Sequence, residues 1–193
     1  MLKTTIASLV LLVLASSVHA QAMDHSRMDH SAHSHHGAAL SDGQRQADVA
    51  RRGQDVMPFD LGATTHVFTK TAQGGVQQVV VKAANDATQV RLTRQHMREI
   101  RDQFLKGDFS GPTRIHGREM PGLAELKAAR PGQIDIGYAD LKDGAELSYT
   151  TADAKLVSAL HKWFDAQLAD HGKDAMAGHA GHGNQAATSS SRR

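Results

Sequence analysis

Residues 64–82 read TTHVFTKTAQGGVQQVVVK, and the reading of the fold starts there. Two runs rich in Val, Thr and Phe flank a Gly-Gly pair. β-Branched and aromatic side chains suit a pleated, half-buried surface, and paired glycines suit a tight reversal. The stretch predicts a hairpin: a strand at 64–71, a turn at Gly74-Gly75 and a second strand at 76–82.

Downstream the period changes from two to that of a helix. Val90, Thr93, Met97, Ile100 and Phe104 form one stripe, and Asn85 or Asp86 can cap it, so a helix is expected to about Leu105. Arg91, Arg94, Arg98 and Arg101 fall on the other side and read as a solvated face. Residues 107–117, with three glycines and Pro112, read as an irregular loop. Pro121 suits the first turn of a short helix to Ala129, and Pro131-Gly132 stops it. Ile134, Ile136 and Tyr138 alternate as a third strand; Leu147 and Tyr149 do so in a fourth, beyond a Lys142-Asp143-Gly144 turn. Thr151 or Asp153 caps a last helix that buries Leu156, Val157, Leu160, Trp163, Phe164 and Leu168. The expected class is α+β, in the order ββααββα. It is a four-stranded antiparallel sheet, made of two hairpins, with helices on one face.

This domain is expected to span 57–171. Residues 21–56 lack large apolar groups and cannot offset their ordering entropy, so a flexible segment is expected, with a weak helix at 44–52. Residues 172–193 read as a second flexible tail, carrying Met176, His179 and His182. The first 20 residues have the form of a secretory signal peptide: Lys3, an apolar run at 4–15, then small residues to Ala20. Small-x-small spacing admits cleavage after Ala20 or after Ala22. No later apolar run reaches membrane length, so the mature chain is expected in a periplasm and not embedded in a membrane.

Composition narrows the chemistry. There is no Cys among 193 residues, which excludes disulfides and thiolate metal sites. A net charge of +2 and 4% aromatic residues argue against a nucleic-acid partner. The 13 His are the unusual feature. Seven potential ligands crowd into residues 23–36, MDHSRMDHSAHSHH: Met23, His25, Met28, His30, His33, His35 and His36. Met-Asp-His-Ser occurs twice there. Thioethers suit Cu(I), and imidazoles suit Cu(II), Zn and Ni. Cleavage after Ala22 would add a further Cu(II) or Ni(II) site, because an amine, two amide nitrogens and the His25 imidazole can then form a square plane.

A second constellation falls within the expected domain: His66 on a strand, His96 beside the apolar stripe, and His116 with Met120 around Gly117. Convergence of two or three of these would make an ordered metal or haem site. His161 reads as a packed histidine. His171, followed by Gly172, reads as an imidazolium favoured by the helix dipole. Enzyme motifs are lacking: no Gly-x-Ser-x-Gly, no phosphate-binding glycine loop and no His-Glu-x-x-His.

The doubled Met-Asp-His-Ser resembles the Met/His repeats of secreted copper-resistance proteins of Gram-negative bacteria. The rest of the chain carries Met57-Pro-Phe-Asp-Leu61, Thr64-Thr-His-Val-Phe68, Ile115-His-Gly117, Met120-Pro-Gly122 and Leu160-His-Lys-Trp-Phe-Asp165. There it resembles a family of small secreted proteobacterial proteins of unestablished function. Some members are labelled aspartate carbamoyltransferase. This chain lacks the Ser-Thr-Arg-Thr type phosphate loop of that enzyme, so the resemblance implies no such activity.

Together these features predict a periplasmic protein that binds copper, with zinc and nickel as the alternative ions, and serves metal tolerance or delivery. Its expected partners are the metal ion and another periplasmic copper protein. The competing expectations are a binding module for haem or a small anion, and a small histidine-dependent enzyme.

Overall fold

The structure, a computed structural model, describes residues 40–83 and 85–179. The signal-peptide reading, Met23, His25, Met28, His30, His33, His35, His36 and His182 fall outside the described residues.

The protein is α+β. Helix α1 (Asp42–Gln54) comes first, then a 3-10 turn at Leu61–Ala63, and strands β1 (Thr64–Thr71) and β2 (Gly74–Val81). Helices α2 (Ala87–Phe104), α3 (Ser110–His116) and α4 (Leu123–Ala128) follow, then β3 (Asp135–Leu141) and β4 (Gly144–Thr150). Helix α5 (Ala154–His171), a 3-10 turn at Gly172–Asp174 and β5 (Ala175–Ala177) close the described chain. The sheet runs β3-β4-β2-β1-β5.

Four of the strands pair antiparallel as two hairpins, joined through β2 and β4. The expected four-stranded antiparallel sheet is nevertheless incomplete. A fifth strand, β5, lies parallel to β1 with His66 opposite Ala175, and makes the sheet mixed. Three residues, Ala175-Met176-Ala177, are too few to show an alternation by which a strand could be read. What holds them is tertiary: Gly178 N–H donates to Phe68 O, and Lys82 Nζ reaches Asp174 at 3.0 Å.

The hairpin turn is also displaced. Thr71 pairs with Gly74, so Ala72 and Gln73 make the reversal and the glycines belong to β2. Their role is close packing. A Cβ on Gly74 would sit 2.2 Å from Tyr149 O, and one on Gly75 would sit 2.4 Å from the Phe164 ring.

The weak helix expected at 44–52 is longer and docked, and a further helix replaces an expected loop. Ser41 and Gln44 form a capping box at the start of α1. The helix then docks: Val49 is buried, and Gln46 Nε2 donates to Ala169 O at 3.0 Å. The order is therefore α1 ahead of ββ, and ordered structure extends beyond residues 57–171 at both ends. Helix α3 replaces the expected loop at 107–117. Pro112 sits in its first turn, where no backbone N–H is needed, and Gly117 at φ 92° ends it.

One face of the sheet is inward. Thr64, His66 and Phe68 of β1, Gln77, Val79 and Val81 of β2, and Ala145, Leu147 and Tyr149 of β4 are all buried. Trp163 and Phe164 of α5 and Met97 and Phe104 of α2 pack in the same core. The arginines of α2 are not merely solvated. Arg94 donates to the carbonyls of Leu141 and Gly144, and Arg101 to that of Ile136, so they pin the β3–β4 hairpin. Among the described residues no helix is long and apolar enough to cross a membrane.

Candidate functional site

A cavity of about 380 Å³ opens between β1, β2, α2, α3 and α5. Its charged lining residues, Asp55, Glu99 and Arg114, are exposed and form the rim. Its buried lining is different in kind: His66, His96, His116, Gln77, Gln167 and Trp163. His171 and Met57, both half-buried, complete that wall.

Each histidine reaches the cavity for a local reason. His66 occupies an inward position of β1, between buried Thr64 and Phe68. An apolar side chain is the ordinary occupant of such a position. His96 lies on the buried side of α2, its ring edge-on to Phe59 at 5.6 Å between centroids. His116 is the last residue of α3. His171 is the last of α5, on the same helical face as Trp163 and Gln167, two turns and one turn before it.

Three of the rings touch in series. His66 stacks on His171 with centroids 4.5 Å apart and planes 21° from parallel. His171 meets His116 edge-on at 5.2 Å. Behind His116 stands a charged support. Its Nδ1 lies 2.8 Å from Asp170 Oδ2, so Nδ1–H donates to the carboxylate. Asp170 is buried and also receives Arg45 of α1, at 2.5 Å from Nε and 2.8 Å from Nη2. Burial alone would raise the carboxyl's pKa. The hydrogen bonds from His116 and Arg45 outweigh it and hold the group below the usual carboxylate range. Arg45 Nη2 also donates to His116 O at 3.3 Å, tying α1 to the end of α3.

The other rings lack such support. Neither nitrogen of His66 has a hydrogen-bond partner, although the residue is only 3% exposed. Burial, with the nearby His116 and His96 acting in the same direction, lowers its pKa from 6.5 to about 4. His96 is lowered by burial, and His171 falls well below its ordinary value through burial and the neighbouring His66 and His116. These three rings are neutral at pH 7, and a neutral imidazole carries a lone pair for a metal. His171 Nε2 faces Gln167 Oε1 at 3.2 Å and donates to it, leaving Nδ1 free. Trp163 Nε1 is a further buried donor without a partner. Leaving such a group without any partner costs about 1–3 kcal/mol, so two of them lining one cavity call for a partner within it.

The structure brings together only some of the residues singled out from the sequence. His66, His96 and His116 line one cavity, but Met120 does not line it. That side chain is 3% exposed and belongs to the apolar core with Leu123 and Trp163. Among the described residues no three His, Asp or Glu side chains surround a single point as a ligand shell. His171 departs from the reading of a charged helix terminus: it is neutral and faces the cavity. The i, i+4 run Trp163, Gln167, His171 was the available signal, since it continues the buried stripe with polar residues. His161 is structural, as its place on the helix implied; its Nε2–H is shared between the carbonyls of Thr71 and Gly74 at 3.0 and 2.9 Å.

Comparison with family models, with curated proteins and with solved structures gives no match. The chemistry of the cavity has to carry the functional reading.

Proposed function

We propose that this protein binds copper in the periplasm and serves copper tolerance or delivery, with the histidine cavity as its ordered site. The observation that carries the reading is His66. A strand position that ordinarily takes an apolar residue holds a neutral imidazole with both nitrogens unpaired, at a cost in stability. Three further imidazoles share its cavity. Neutral nitrogen donors in a mostly uncharged pocket select a transition metal over Mg or Ca, which take oxygen ligands. The Asp170–His116 pair supports the same reading, because metal-binding histidines are commonly held by a carboxylate on the opposite ring nitrogen.

In this account Met23, His25, Met28, His30, His33, His35 and His36 capture the ion at modest affinity, and the cavity holds it. The partner is another periplasmic copper protein that supplies or takes the metal. The resemblance to copper-resistance repeats and the signal-peptide pattern of the first 20 residues support the compartment.

Metal analysis of untagged protein isolated from a periplasm tests the proposal. Copper retained by the native chain and lost from a His66→Phe, His116→Phe double variant is the expected result. Equal copper in both proteins removes the cavity from the account. A second reading, a small histidine-dependent enzyme, draws on the same Asp170–His116 pair, which also suits a general base.

A further inference from the structure

Independently of the copper reading, we infer that the cavity is a binding site for a small, uncharged ring molecule of the cyclic-amide class, with a carbonyl and an N–H side by side.

Size comes first. One ion and its bonds take up a small part of about 380 Å³. That volume lies at the lower end of pockets that hold small organic molecules, about 300–1,000 Å³. Met57, Ile100, Phe104 and Ile115 give the lining an apolar part. The faces of a flat ring can bury against it, and a bare ion gains nothing there.

Charge comes next. The ionisable Asp55, Glu99 and Arg114 of the lining are all exposed, so no Asp, Glu, Lys or Arg belongs to its buried part. Asp170, behind His116, already has Arg45 as its counter-charge. A charged ligand drawn inside would give up its water with no free opposite charge to meet. That costs far more than burying an uncharged polar group whose hydrogen bonds are replaced. The wall therefore selects a neutral molecule.

The hydrogen-bonding groups set the class. Trp163 Nε1–H can only donate, and it has no partner. Gln77 Oε1 accepts from Tyr149 O–H at 2.8 Å, and Gln167 Oε1 accepts from His171 Nε2–H at 3.2 Å, so each carboxamide keeps its amino group to donate. Two acceptors face these donors. One is Nδ1 of His171. The other belongs to His66, whose neutral ring carries one N–H and one lone pair, both without a partner. The ring turns about a broad torsion, so either nitrogen can meet a ligand. A ketone would answer the donors and leave the imidazole lone pairs unmet; an amine would do the reverse. A cyclic amide answers both. Its carbonyl has two lone pairs for the more numerous donors, and its N–H donates to an imidazole.

Trp163 gives the readout. It is the only Trp in the chain and it lines the cavity, so its indole N–H is a single cross-peak in the NMR spectrum of a nitrogen-labelled sample. The full chain, stripped of metal with a chelator, is titrated with 2-pyridone. Toluene, benzoate and benzylammonium are run in parallel as rings of similar size that are apolar, anionic and cationic. With 2-pyridone the expected result is a saturable downfield movement of the indole N–H, the mark of a new hydrogen bond. Each of the other three should bind about tenfold more weakly or worse. Affinity for 2-pyridone should fall about tenfold in Gln167→Met and in His66→Phe, each of which removes a polar partner. Peak dispersion shows that each variant is folded, and His171→Phe replaces His66→Phe if that variant is not. Benzoate or benzylammonium binding as well as 2-pyridone overturns the neutral class, and toluene doing so overturns hydrogen-bonded recognition. No saturable movement with any probe overturns the organic site. Because the chain is free of metal throughout, none of these results depends on whether the native protein holds copper.

Discussion

Replacing His66 by Phe should make the protein more stable while removing its site. Phe keeps a ring against His171, Phe59 and Phe68, whose centroids lie 4.5, 6.4 and 6.2 Å away, and the adjoining cavity has room for the larger ring. It also removes two buried nitrogens that have no partner. At pH 7.5 the gain should be about 1–3 kcal/mol, the cost of one unsatisfied buried polar group. The gain should widen in acid. The pKa of His66 is about 4 in the folded chain and 6.5 unfolded. Below pH 6.5 the unfolded chain binds a proton that the folded chain refuses, so the native protein loses stability as pH falls towards 4. Over the whole window that loss is about 3 kcal/mol. The variant has no group there to protonate. Urea unfolding followed by Trp163 emission, at pH 7.5, 6 and 5, measures both effects. A variant less stable than the native chain at pH 7.5, with a gap that does not widen in acid, would refute the reasoning about His66.

Three other perturbations test the architecture. Asp170→Ala strands the His116 imidazole and frees Arg45; because Arg45 is 41% exposed and can be resolvated, the loss should be about 3 kcal/mol rather than the full cost of a broken buried pair, read from urea midpoints. Val49→Ala, at a site 1% exposed, should cost about 2 kcal/mol if α1 is part of the domain, whereas an undocked helix predicts almost no change in the same assay. Gly75→Ala drives a Cβ to within 2.4 Å of the Phe164 ring and 2.8 Å of Thr69 O, so calorimetry should show a loss of about 2–3 kcal/mol.

Much of the fold was legible because its signals are local. Alternation exposes β1 to β4, and the 3.6-residue stripe with Asp86 or Asp153 as cap exposes α2 and α5. The elements that escaped are those held by distant partners. Helix α1 was legible only as a weak helix at 44–52, and its docking escaped because its mean character is too polar for a core helix; one valine and the Arg45–Asp170 pair, 125 residues apart in sequence, dock it. Strand β5 has three residues and borrows its order from β1. Glycines at 74 and 75 read as a turn because turns and close approaches favour the same residue for different reasons.

The site divided in the same way. His66, His96 and His116 stood out as residue types, and their elements do meet around one cavity. Met120 was grouped with them by closeness in sequence to His116, but Gly117 and Gly122, both at positive φ, turn the chain between and after them and the thioether enters the core. His171 was read by the general rule for helix ends. Its environment is set by β1 and α3; within its own helix the only hint is that it continues the buried Trp163–Gln167 stripe.

The central claim is that a copper ion sits among these imidazoles, and an anomalous difference map answers it most directly. Crystals of the full chain loaded with copper should show one strong peak at the copper edge within the cavity lined by His66, His96, His116 and His171, absent below the edge. Copper peaks confined to other parts of the molecule, with that cavity empty at full loading, would contradict the account.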